Sequence, residues 1–196
     1  QQQQQQKKKK KKKKGNNKDK GFDLKKSGGT NQQVNEVEKY NWYIGVYNRL
    51  VNFEKTANSY FKEVGIEAQF KKPEGNVSAN FYDIKSIITD LEKAIPAKPK
   101  MAELDKVSEN LLAVFKELKP LAEDMDSYYS GKDYTSDNYK KAQEFHTKFL
   151  EIIKKLNDLY TKYENYEYKT AYGEEVLLSN SFSPVFSSDR KYDYRN

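Results

Sequence analysis

The sequence predicts an all-α fold: an antiparallel bundle of about four long helices behind a disordered N-terminal tail. Three observations predict it. Beyond Asn35, long stretches place apolar residues three and four apart, the spacing that gathers them on one side of a helix. Glycine and proline punctuate the chain between those stretches, at Gly65, Pro73, Gly75, Pro96, Pro99 and Gly131. And 16 Tyr with 10 Phe provide enough ring mass for a core in a chain that is 33% charged, because a tyrosine can bury its ring and keep its hydroxyl at the rim.

The elements follow in order. Residues 1–33 hold six Gln, then eight consecutive Lys, then a glycine-rich polar stretch with almost nothing to bury, and read as a disordered tail or linker. A first helix runs from Asn35 to a stop at Gly65, with Val37, Tyr40, Tyr43, Ile44, Tyr47, Leu50, Val51, Ala57, Tyr60, Phe61 and Val64 as its stripe. Residues 66–78 read as a loop. A second helix spans about Ala79 to Ala94 on the face Phe81, Ile84, Ile87, Ile88 and Leu91, and Pro96 and Pro99 end it.

The third helix starts near Lys100 and carries the seam Leu104, Val107, Leu111, Phe115, Leu118, Leu121, Met125 and Tyr128. Pro120 lies inside it and predicts a kink, since proline removes one helical hydrogen bond. After a turn from Gly131 to Ser136, Asp137 is expected to cap a fourth helix presenting Tyr139, Ala142, His146, Phe149, Ile153, Leu156, Tyr160 and Tyr163. Four such stripes must bury one another, which assigns residues 34–172 to one bundle. Residues 173–196 lose the periodicity and read as a loosely ordered C-terminal segment.

Charge splits along the chain. Residues 1–26 contain 12 Lys against Asp19 and Asp23, a net of +10, so the total of +7 leaves −3 for the remainder. The tail is therefore the part drawn to anionic surfaces, and nucleic-acid association, if any, is expected to be unspecific and confined to it. The absence of cysteine excludes disulfides, thiolate zinc sites and a cysteine nucleophile. No run approaches the roughly 20 apolar residues needed to span a bilayer. There is no GxSxG, Walker or HExxH pattern, so the expectation is a non-enzymatic protein without a cofactor.

The aromatic stretch YNWYIGVYNRL, the later AELD and the run YYSGKDYTSDNYKKAQEFH carry a resemblance. Together they resemble the YiiG-like bacterial lipoproteins, a family of unknown function, over about residues 36–166. The most specific elements are Tyr128, Tyr129, Lys132, Tyr134, Asp137 and His146, with Tyr47, Asn48, Leu104 and Asp105 upstream. The resemblance implies an exported helical domain in the bacterial cell envelope, tethered to a membrane by its tail or by a lipid anchor expected upstream of Gln1. It implies no catalytic residues. It differs here in lacking the lipid-bearing cysteine and in diverging soon after the fourth helix.

Candidate binding residues are Tyr128, Tyr129, Tyr134, Asp137 and His146. Rings with polar tips can line a groove for a small ligand, or hold a turn against the core, and the latter is the expected role because no convergent charges accompany them. His146, the only histidine, falls on the buried stripe; it is expected to pack there with a polar partner near the third turn, Asp137 or a turn tyrosine, rather than to ligate a metal. Asp124, Asp126, Asp133 and Asp137 form an acidic cluster, but counting from Asp126 puts Tyr128 and Ser130 where a calcium loop needs its strongest ligands. The domain is thus expected to be a binding or structural module for an unidentified protein or small ligand, with ligand binding at the tyrosine turn and nucleic-acid association of the tail as alternatives.

Overall fold

A computed structural model describes residues 33–172; the expectations for the tail before Gln33 and for the segment after Tyr172 lie outside the described residues. Among the described residues there are five helices: α1 Glu36–Val64, α2 Asp83–Ala94, α3 Ala102–Ser130, the single turn α4 Tyr134–Asp137, and α5 Lys140–Tyr172. The fold is an all-α bundle of four principal helices.

Contacts along the helices give their directions. Arg49 meets Asp90 while Trp42, nearer the start of α1, meets Lys93, so α1 and α2 run in opposite senses. Lys155 reaches Glu117 and Phe145 meets Tyr128, which makes α3 and α5 antiparallel. Tyr43 touches Tyr163 and Phe61 touches Phe149, so α1 and α5 are antiparallel as well. Lys116 of α3 pairs with Glu92 of α2 and completes the ring α1, α2, α3, α5. One end of the bundle gathers the start of α1, the end of α2, the start of α3 and the far part of α5. The other gathers the C-terminus of α1, the entry to α2, the end of α3, α4 and the start of α5.

Local chemistry sets most boundaries. The Asn35 carboxamide accepts from the Glu38 N–H at 2.7 Å and starts α1, helped by Glu36 and Glu38 in its first turn. Gly65 ends it with φ +85° and ψ 152°, a region essentially closed to residues with a Cβ, while its N–H still bonds the Phe61 carbonyl at 2.8 Å. α3 continues helical through Pro120, which is exposed; the hydrogen bond lost at proline is on the solvent side of the bundle.

Four details differ from the sequence expectation. Val37 is 68% exposed, and Lys39 takes the buried position on α1 in its place. Geometry explains it: the stripe passes through Tyr43, and Val37, six residues earlier, lies roughly 120° round the helix, whereas Lys39 is one turn back on the same face. Val46 and Phe53 also belong to the buried face. Next, α2 begins at Asp83, not Ala79, because Phe81 enters the core before the helix starts, 5.0 Å from Phe149 and 5.9 Å from Phe53 between ring centres. The turn after Gly131 contains a helical turn of its own, α4, and its left-handed residues are Lys132, Asn138 and Tyr139 rather than glycine. Finally, the fold begins at the boundary of the tail, where Gln33 bridges Lys98 and the Val34 N–H bonds the Lys98 carbonyl at 3.0 Å.

A Cβ at Gly65 would find room, its nearest neighbour being Lys71 Cβ at 3.5 Å, so substitution there isolates backbone strain. Gly65→Ala is expected to lower stability by about 1–3 kcal/mol in urea unfolding. An unchanged midpoint would mean that α1 does not end in this conformation.

Candidate functional site

At the turn end of the bundle four of the five predicted residues, Tyr128, Tyr129, Tyr134 and Asp137, come together. Tyr128 points its hydroxyl from the last turn of α3 to Asp137 Oδ1 at 2.7 Å. The same oxygen accepts the Tyr139 N–H at 2.9 Å, and Oδ2 accepts the Lys141 N–H at 3.0 Å. Asp137 therefore caps α5 as expected, but from within α4 and across the left-handed pair Asn138 and Tyr139, not from the residue adjoining the helix. Partial burial pushes its carboxyl up, but the bonds from the Lys141 N–H, the Tyr128 hydroxyl and the Tyr139 N–H outweigh this and hold it below the usual carboxylate range.

The rings close over one another. Tyr134 stacks on Tyr139, with centres 4.9 Å apart and planes 14° apart, and stands 6.3 Å from both Tyr128 and Tyr129. Tyr129 is buried edge-on against Tyr60 of α1, the two hydroxyls 3.4 Å apart. Burial pushes the Tyr60 hydroxyl up to about 12, the contact with Tyr129 offsetting part of the rise. Burial likewise raises Tyr129, and raises Tyr128 together with the Asp137 carboxylate beside it. These are phenols held protonated at neutral pH, engaged with each other and with Asp137. They form a seam.

His146 is fully buried, but its partner is not near the third turn. Nε2 donates to the backbone carbonyl of Glu67, 2.6 Å away in the loop between α1 and α2. His146 lies six residues into α5, roughly 9 Å along the axis from its start, and so faces the C-terminus of α1. Phe61 and Phe70 meet the ring at 6.1 and 5.7 Å. With the proton on Nε2, the buried Nδ1 is an acceptor without a donor. The same loop reaches the turn at two further points: Phe70 against Tyr139, and Lys72 Nζ donating to Asn138 Oδ1 at 3.1 Å. His146 and the tyrosines are thus joined through the rings of Phe70 and Tyr139 rather than converging on one cavity. Among the described residues no three His, Asp or Glu side chains gather as a metal-ligand set.

The opposite end holds a polar cluster that sequence reasoning missed. Lys39, with no exposed surface, donates from Nζ to the carbonyls of Ala97 and Pro99 at 2.7 and 3.0 Å and lies 2.7 Å from Asp105 Oδ1. That carboxylate oxygen also accepts the Tyr43 hydroxyl at 2.6 Å, and Asp105 Oδ2 accepts the Met101 N–H at 3.0 Å, capping α3. Tyr163 closes the group by donating to the Tyr43 carbonyl at 2.9 Å. Burial, then the bond to Asp105, raises the Tyr43 hydroxyl. The one available signal was a lysine placed a single turn before Tyr43 on the buried face.

Removing one member of a buried ion pair strands the other, at a cost of about 3–5 kcal/mol. Lys39→Met is expected to lose that much in denaturant unfolding, and Lys39→Met with Asp105→Asn to lose less than Lys39→Met alone. A single-variant loss under about 1 kcal/mol would show the pair to be solvated. Asp137 predicts a pH effect. A carboxyl held below its unfolded value of about 3.9 adds stability above that pH and loses it as pH falls through the folded value. Asp137→Asn should be less stable than the parent at pH 7 and flatter below about pH 4; parallel acid-unfolding curves would contradict this.

A family profile described as protein of unknown function (DUF3829) matches residues 34–166. No curated protein and no solved structure matches the chain. The matched span runs from the residue that bonds Lys98 through both polar clusters to α5, and covers most of the described bundle. The chain belongs to this family of proteins of unknown function.

Proposed function

We propose that this domain is a non-enzymatic binding or structural module of the bacterial cell envelope, related to the YiiG-like lipoproteins its sequence resembles and held near a membrane by its tail or by a lipid anchor upstream. The observation that carries the reading is how the residues of the resemblance are engaged. Asp137 is occupied by the Tyr128 hydroxyl and two backbone N–H groups, His146 by the Glu67 carbonyl, and Asp105 by Lys39, Tyr43 and Met101. A motif whose members close two ends of a bundle supports a scaffold whose partners meet its surface. The eight-lysine tract adds about 1 kcal/mol per lysine near an anionic membrane surface, while the chain after Lys26 carries −3.

The native protein, isolated from its source cells, should be recovered in the membrane fraction, released by detergent, and carry an acyl modification at its mature N-terminus by intact-mass spectrometry. Recovery of unmodified protein in the soluble fraction would overturn the proposal.

A further inference from the structure

A cleft of about 240 Å³ lies where the start of α2 meets the last third of α3, with Phe81, Tyr82, Ile84, Lys85, Ala122 and Asp126 in its lining. Its floor is apolar, from the buried Phe81, Ile84 and Ala122. Tyr82 at its edge is 68% exposed, one of three large apolar side chains left open to solvent among the described residues.

The charges on the two walls are unequal in kind. Lys119 and Glu123 pair with each other at 2.8 Å along α3 and leave no net demand. Lys85 on α2 and the half-buried Asp126 on α3 make no side-chain hydrogen bond or ion pair among the described residues. The cleft therefore presents one unengaged ammonium and one unengaged carboxylate from opposite helices, above an apolar floor and beside an open ring. Asp83, in the first turn of α2, is buried outside the lining.

We infer that this cleft is a binding site for a small zwitterion, an amino acid with an apolar or aromatic side chain, whose carboxylate meets Lys85 and whose ammonium meets Asp126 while its side chain lies on Phe81 and Tyr82. The volume falls just under the roughly 300–1,000 Å³ of drug-sized sites, which limits the ligand to that scale. Lys85 is exposed and Asp126 half-buried, so the selection for a zwitterion rests on its answering both wall charges at once, where a monoanion or monocation answers one. This site is separate from the tyrosine turn and does not depend on whether the protein is membrane-anchored.

The test is amide NMR of the full chain titrated with L-phenylalanine, N-acetyl-L-phenylalanine and L-phenylalaninamide. L-Phenylalanine should give saturating shifts centred on residues 80–85 and 119–126, with affinity at least tenfold weaker for each blocked analogue. Lys85→Gln should abolish the preference over the amide, and Asp126→Asn the preference over the N-acetyl form; both positions are open enough for the variants to fold. Absence of saturating shifts at those residues, equal affinity for the three probes, or unchanged selectivity in either variant would overturn the inference.

Discussion

Tyr43, Tyr60, Tyr129 and Tyr163 carry hydroxyls into the core, Tyr128 carries one to its rim, and each of those hydroxyls is answered. Tyr43 bonds Asp105, Tyr163 bonds the Tyr43 carbonyl, Tyr128 bonds Asp137, and Tyr60 and Tyr129 meet each other. An unanswered buried hydroxyl costs about 1–3 kcal/mol, and each bond here joins different helices or a helix to a turn, so sliding one helix along another would break at least one. Apolar stripes alone tolerate such sliding. The polar tips of the rings therefore align the bundle, and the ring faces fill it, as in the cluster where Phe53, Tyr60, Phe81 and Phe149 meet edge-on or tilted.

The two ends solve the same problem with different chemistry. At the lysine end, an ion pair gathers the start of α1, the segment after α2 and the start of α3, and satisfies all three ammonium protons of Lys39. At the turn end, a neutral phenol and backbone N–H groups converge on Asp137, and the loop from α1 folds over α5 to supply the Glu67 carbonyl to His146. Buried ion pairs add little net stability, but separating the partners leaves a charge stranded at a cost of about 3–5 kcal/mol. The lysine end ties α1 to α3 and to the segment between α2 and α3, while the turn end ties α3 to the start of α5. Tyr139 shows what the reversal between α3 and α5 costs: an aromatic residue held at φ +65°, stabilised by its N–H bond to Asp137 and its stack on Tyr134.

Helix existence and type were legible in the sequence alone, since a stripe at threes and fours, an Asn cap and a glycine stop are local signals; α1 agrees at both ends, Asn35 and Gly65, and α5 buries His146, Phe149, Ile153, Leu156, Tyr160 and Tyr163 as its periodicity requires. The all-α class and the single bundle follow from those stripes. So does the gathering of Tyr128, Tyr134 and Asp137, which lie within ten residues of one another across one turn. What only the tertiary structure decided are pairings between residues far apart in the chain: Lys39 with Asp105, His146 with the Glu67 carbonyl, Tyr60 with Tyr129, and the cleft between Lys85 and Asp126. Periodicity states which face a helix buries but carries no information on which helix covers it or at what height. Hence a lysine on a buried face was invisible as an ion-pair donor until α3 brought a carboxylate to it, and a lone histidine had a backbone partner that no side-chain pattern could mark.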